Sequence, residues 1–312
     1  MKYLPPKFYF NPHIETIIPA LFRRVKEMPY QRERINTPDD DFLDIDWLKQ
    51  NTDKLVILSH GLEGNSQKPY MRGMAKAFFD QGYDVAAWNF RGCSGEMNKQ
   101  LRFYHSGATD DLETVVKYAQ SLNYKSINLI GFSLGGNITL KYLGEKDNQA
   151  QINRAVAISV PLDLHTSCQK ISQRENWVYA NRFLNGLKSK VRQKAIIMPG
   201  RISSKGLSKL KTLIDFDDAY TAPLHGFDSA IDYYTKCSSL YFLKHITTPT
   251  LILNALNDPF LTKECYPIEE MKDHENVILE TPDFGGHVGF TAFNKQKLYW
   301  SEKKALDFIM DK

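Results

Sequence analysis

From Leu55 onward, short apolar runs alternate with longer stretches of helical periodicity. Leu55–Ser59, Asp84–Trp88, Ile127–Ile130, Ala155–Val160, Thr250–Asn254 and Asn276–Glu280 are rich in Val, Ile and Leu and bounded by polar turns. Runs this short, without polar alternation, predict strands buried on both faces, as in a parallel sheet. The stretches between them predict helices over roughly Tyr70–Gln81, Thr109–Ser121, Gly135–Leu143 and Gln296–Met310. Strand–helix alternation builds βαβ units, so the expected fold class is α/β, with a mostly parallel central sheet flanked by helices.

The alternation stops at Pro161 and resumes at Thr250. Residues 162–246 predict a helical lid or cap inserted into a single domain of residues 1–312, with aromatic and basic residues interleaved (Trp177, Tyr179, Arg182, Phe183, Lys188, Arg192). Its lysines Lys205, Lys209 and Lys211 read as a solvated helix face. Residues 1–50 form an N-terminal extension in which five prolines, Pro5 to Pro29, forbid a long helix. Ile14, Ile17, Ile18, Leu21 and Phe22 share one helical face there, predicting a short amphipathic helix packed on the body. Weaker strand patterns follow near Tyr30–Asn36 and Phe42–Trp47.

Composition narrows the class. Forty basic against 36 acidic residues leave a formal charge of +4, too small an excess to argue for nucleic acid as a partner. Cys93, Cys168, Cys237 and Cys265 are scattered, without metal-ligand spacing, and read as free thiols of a reducing compartment, with one disulfide left open. The opening residues lack the apolar core of a signal peptide, and no run of about 18 apolar residues occurs. A soluble, cytoplasmic enzyme without a stable membrane anchor is the expectation.

The strongest chemical signal is Gly131-Phe132-Ser133-Leu134-Gly135, which fits G-x-S-x-G directly after a predicted strand and directly before a predicted helix. Small residues two before and two after the serine let the chain turn back sharply and expose the hydroxyl at a helix N-terminus. A serine needs an adjacent base to act as a nucleophile. In this context the partners follow in the order Ser, acid, His. Asp258, in Asn257-Asp258-Pro259 after the strand at 250–254, and His287, in Gly285-Gly286-His287 after the strand at 276–280, fill those places. Asp163, just after the strand at 155–160, is the alternative acid. Asp283 lies too near His287 in sequence to orient it, and His105 precedes the serine and reads as a turn-packing residue. The oxyanion of an acyl-transfer intermediate needs backbone donors. Leu134 N–H, after the nucleophile, and Leu62 N–H, in His60-Gly61-Leu62-Glu63-Gly64, are the candidates.

With these residues in place the chain resembles the α/β-hydrolase superfamily, and within it the YheT-like branch of esterases related to the ABHD-type lipid hydrolases. The resemblance covers nearly the whole chain. It rests on Asn11-Pro-His-Ile-Glu-Thr16, His60–Gly64, Asn89-Phe-Arg-Gly-Cys-Ser-Gly95, Tyr104-His-Ser-Gly107 and Gly131–Gly136. Phe216-Asp-Asp218, Thr221–Phe227, Tyr233-Tyr234, Asn257–Phe260 and Gly285–His287 continue it. It implies a serine hydrolase of carboxylic esters with Ser133, Asp258 and His287 as its triad and no metal or organic cofactor. The expected partner is a small-molecule ester with an apolar acyl or alcohol group. Thioesterase, lipase-like or amidase chemistry would use the same residues, and a hydrolase-fold binding protein without turnover is the rival of another class. Glu63 stands where relatives often carry threonine or another small residue. Arg91 and Asp217 belong to motifs without a chemical step and are expected to make salt bridges or shape turns.

Overall fold

The computed structural model describes residues 2–9, 11–26, 28–145 and 152–311. One sheet of eight strands runs through the molecule: β1 (Gln31–Asn36), β2 (Phe42–Leu48), β3 (Lys54–Ser59), β4 (Asp84–Asn89), β5 (Ser126–Phe132), β6 (Ile152–Ile158), β7 (Thr250–Leu253) and β8 (Val277–Glu280). Their spatial order is β1-β2-β4-β3-β5-β6-β7-β8. β2 pairs antiparallel with both β1 and β4, and all remaining neighbours are parallel.

The period-two geometry of a strand explains the continuous apolar runs. Leu55 and Ile57 face one layer, where α3 (Thr109–Ser121) and α4 (Leu134–Glu145) bring Leu112, Val115, Ile138 and Leu140. Val56 and Leu58 face the other, where α2 (Pro69–Phe79) and the C-terminal helix Trp300–Ile309 bring Met71, Met74, Phe78 and Leu306. Each such side chain, wholly buried, contributes about 1.5–3 kcal/mol relative to exposure, so both faces must be covered. The C-terminal helix begins later than its periodicity predicts. The Tyr299 N–H donates to Glu302 Oε2 (2.8 Å), a cap that fixes the first turn there, and the Asn294 side chain holds the Leu298 carbonyl in a turn just before it.

Between β6 and β7 the chain is helical, with no strand among the described residues. It contains α5 (Leu164–Ile171), α6 (Trp177–Ile197) and the helix Ala230–Cys237. A separate apolar cluster (Leu184, Val191, Leu207, Phe216) joins this segment to Phe103 and Phe260 of the body. Two motif residues without a chemical step separate here. Arg91 is buried and ion-paired to Asp39, Asp41 and Asp111, as expected. Asp217 has no cation partner among the described residues. It accepts hydroxyls from Thr221 (2.5 Å) and Tyr234 (2.6 Å) in a π-helical turn, and burial pushes its carboxyl up to about 6. All four cysteines are free thiols.

The antiparallel edge is held by charge. Arg32 stands opposite Asp46 and Arg34 opposite Asp44 across β1–β2, each arginine gripping both carboxylate oxygens at 2.8–3.0 Å. Such charges also blunt β1 as a template for further strands. Burial raises the pKa of Asp46, but hydrogen bonds from Arg32, Ser66 and Asn89 outweigh it and hold the carboxyl below the usual range. Asp44 behaves alike: burial pushes up, and Arg34 and Ser94 pull further down. Depressed carboxylates stabilise the fold fully above the unfolded pKa of about 3.9, and that contribution is lost as pH falls through the folded value. The melting temperature is therefore expected to hold near neutrality and to fall once pH drops below about 4–5. Asp46→Asn should lower it at pH 7 and flatten the acid slope, and thermal denaturation across pH 3–7 reads both; an unchanged slope would remove Asp46 from the account.

Candidate active site

β5 ends at Phe132 and α4 begins at Leu134, leaving Ser133 alone in the turn with φ of +52°. That left-handed conformation costs a residue with a β-carbon on the order of 1–3 kcal/mol, so neighbours must impose it. The Ser133 N–H donates to the Ile158 carbonyl of β6 (2.9 Å), and its own carbonyl accepts from Asn137 N–H (3.0 Å). Glycines are required on both sides. A β-carbon at Gly131 would strike the Gly135 backbone, and one at Gly135 would strike the carbonyls of Ser59 and His60 at the end of β3.

Two distant side chains reach this hydroxyl. His287 Nε2 lies 3.0 Å from Ser133 Oγ, and His287 Nδ1 lies 2.8 Å from Asp258 Oδ2. A carboxylate only accepts, so the ring proton sits on Nδ1 and Nε2 is left to accept from the serine. Asp258 is buried in the turn after β7, where its Oδ1 accepts from Phe260 N–H (2.9 Å), and the Phe260 ring packs 4.2 Å from the imidazole centroid. The rivals lie elsewhere. Asp163 caps α5 through Thr166 N–H (2.8 Å), and Asp283 pairs with Lys2 (2.8 Å). His105 accepts from Gly107 N–H (3.1 Å) and packs on His225, and burial drives its pKa well down.

The loop after β3 can be audited donor by donor. Gly61 N–H goes to Tyr70 OH (2.9 Å), Glu63 N–H to Tyr104 OH (3.0 Å) and Gly64 N–H to the Gly61 carbonyl (2.9 Å). Leu62 N–H finds no acceptor among the described residues, nor does Leu134 N–H at the start of α4. Buried backbone donors are rarely left unpaired, so these two amides beside the Ser133 hydroxyl are free to take an acceptor from outside the described residues. His60 steadies the loop as a neutral ring. Burial lowers its pKa to about 3, Nδ1 donates to the Gly61 carbonyl (2.8 Å) and Nε2 accepts from Phe90 N–H (3.1 Å). The Glu63 carboxylate is already engaged, accepting from Tyr104 OH and pairing with Lys190, both at 2.6 Å.

Sequence reasoning missed the part played by the N-terminal helix α1 (Pro12–Phe22). Its buried residues are Glu15, Thr16 and Pro19, while Leu21 and Phe22 of the expected packing face are exposed. The polar face docks because the histidine and aspartate loops offer it donors. Glu15 accepts from Gly285 N–H (2.6 Å) and from the Asn257 side chain (2.9 Å), and Thr16 Oγ1 accepts from His287 N–H (2.9 Å). Asn257 Oδ1 in turn accepts from Gly286 N–H (3.0 Å), and Ser159 Oγ from Val288 N–H (2.9 Å). The Asn11-Pro-His-Ile-Glu-Thr16 motif was the available signal, but nothing local in it names its partners.

Above Ser133 opens a cavity of about 270 Å³ with mainly apolar walls, including Ile17 and Leu21 of α1, Leu62, Phe183 of α6 and Phe260. A larger hollow of about 460 Å³ beside Arg154 and Trp300 contains no residue of this constellation. A mostly parallel eight-stranded sheet that lifts one serine on such an elbow is the architecture of the α/β hydrolases. The chain belongs to that family: the alpha/beta hydrolase fold profile matches residues 54–290. It is 35% identical over 320 residues to YheT of Escherichia coli (strain K12), a candidate esterase by its name, across 99% of this chain and 93% of YheT. Phospholipase ABHD3 of Mus musculus is 30% identical over 300 residues, 92% of this chain and 73% of that protein. Among solved structures, the Pyrococcus furiosus esterase Pf2001 aligns with a TM-score of 0.61 at 20% identity, covering 93% of this chain and 98% of that one, a likeness of fold.

Because Glu15 joins the two loops that carry Asp258 and His287, Glu15→Ala should lower kcat by roughly 10- to 100-fold through misplacement of the imidazole. The melting temperature should move by only a few degrees, about what one lost buried hydrogen-bond set gives. Ester turnover and thermal denaturation of the one variant check this, and an unchanged kcat would make α1 a mere cover.

Proposed function

We propose that this protein hydrolyses carboxylic esters through an acyl-enzyme on Ser133. Ser133 Oγ attacks the ester carbonyl as His287 Nε2 takes its proton. Asp258 keeps the imidazole in the tautomer that can accept and stabilises the imidazolium that forms. The amides of Leu62 and Leu134 receive the oxyanion, each donor contributing about 2.7–4 kcal/mol in comparable sites. His287 then protonates the departing alcohol, activates a water, and the acyl group leaves as the free acid.

The observation that carries the reading is the unbroken chain Asp258–His287–Ser133 at 2.8 and 3.0 Å, next to a Leu62 amide with no acceptor among the described residues. The apolar cavity beside it supports an ester with a hydrocarbon portion. Residues 162–246 act as the cap over that cavity, α6 supplying Phe183 and Tyr179 to its wall. Thioesters and amides would pass through the same atoms; the ester is preferred because esterase and phospholipase relatives share most of the chain.

A fluorophosphonate probe should label the wild type and fail to label Ser133→Ala, and failure to label either protein would favour a binding module. Cleavage of 4-nitrophenyl esters should fall on the order of 10³–10⁴-fold in Asp258→Asn, where the tautomer is lost, and by less than about threefold in Asp163→Asn. The reverse ranking would move the acid to the loop after β6.

A further inference from the structure

We infer that Lys68 and Arg182 form an anion subsite in the cavity above Ser133, selecting esters that carry a carboxylate or phosphate group. The inference deepens the ester-hydrolase reading and rests on it.

The charges lining this cavity do not cancel. Arg23 is ion-paired to Glu302 (2.6 Å), and Glu63 is ion-paired to Lys190 (2.6 Å). Both pairs are largely shielded from water, the four side chains being between 3% and 14% exposed. That leaves Lys68, half-buried immediately before α2, and Arg182, exposed on α6 of the cap where the cavity opens to solvent. Neither side chain makes a hydrogen bond or an ion pair among the described residues. The two cations are close enough to act on each other. Burial first, then Arg182, lowers the Lys68 ammonium below its ordinary value, against a weaker pull from Glu63. A half-buried ammonium facing a second cation is unfavourable unless an anion lies between or beside them. Arginine supplies a planar fork for carboxylate or phosphate and lysine a movable point charge, a combination suited to an oxyanion.

The rest of the wall adds the second requirement. Ile17, Leu21, Val178, Phe183 and Phe260 offer hydrocarbon contact in the cavity that the two cations share with Ser133. One molecule that satisfies both is an acyl ester with a hydrocarbon chain and a single anionic group. Because Lys68 belongs to the body and Arg182 to the cap, the anion would also join the two parts across the cavity.

The test compares matched esters that differ only in the anion. One arm sets 4-nitrophenyl valerate against 4-nitrophenyl hydrogen glutarate, which puts a carboxylate on the acyl side. The other sets 1-decanoylglycerol against 1-decanoylglycerol 3-phosphate, which puts a phosphate on the alcohol side. The wild type should favour the anionic member of at least one pair by about tenfold in kcat/KM, and the favoured arm identifies the side. In Lys68→Gln/Arg182→Gln that ratio should collapse toward one, and 0.5 M NaCl should erode it in the wild type. Turnover of the neutral members with no anion preference, or a preference that survives the double substitution, overturns the subsite and leaves the esterase standing. If no ester of either pair is cleaved and the fluorophosphonate probe does not react, the hydrolase reading fails and the subsite with it.

Discussion

The contact on which this architecture depends is the approach of α4 to the end of β3. It is possible only because Gly135 has no β-carbon to meet the carbonyls of Ser59 and His60. That approach does more than tighten a turn. Leu134 follows Ser133 on one side of the contact, and the loop containing Leu62 leaves β3 on the other. The spacing of the two unpaired amides is therefore set by backbone against backbone, which is stiffer than any side-chain arrangement. Ser133 is held at φ of +52° by the same geometry, pinned to β6 through Ile158.

Around this point the protein uses neutral or fully paired groups as holders. His60 is a buried uncharged ring with both nitrogens satisfied, and Arg91 has three carboxylates about it. Asn254, completely buried, clamps the carboxyl ends of β6 and β7 by exchanging hydrogen bonds with both backbone groups of Val160 (2.7 and 3.0 Å). Of the ten non-glycine residues with positive φ among the described residues, five lie around this site: Glu63, Ser133, Ser159, Val288 and Phe290. Strain of this kind persists only where surrounding bonds over-determine it.

Much of this was legible in the sequence, for physical reasons. Apolar runs of four to six residues report burial, and the six parallel strands lie where those runs predict, although β8, at the sheet edge, leaves Ile278 exposed and is not covered on both faces. The elbow was legible because its glycines answer local sterics that any sequence must respect. The carboxylate and histidine brought to Ser133 were legible from chain order together with strand ends. What stayed hidden was bonding between distant polar groups. Periodicity assigned α1 an apolar inner face, yet the helix docks through Glu15 and Thr16, because two loop amides and an asparagine needed acceptors there. Nor does sequence tell which amide of the 60–64 loop lacks an acceptor; that required knowing that Tyr70 and Tyr104 take its neighbours. For Asp217 the turn-shaping alternative holds, through two hydroxyls in place of a cation.

The docking of α1 also has a consequence in time. The groups that satisfy Glu15 follow it in the chain by 242 and 270 residues. Until they arrive, burying that carboxylate is unfavourable, and burial alone already raises its pKa. Closing a contact across so much chain carries a loop-closure entropy that grows slowly with its length, and contacts of this kind raise the contact order of the fold, which goes with slower folding. The position of the histidine loop therefore rests on a contact between segments far apart in sequence, whereas the sheet and its helices are held mainly by nearer neighbours.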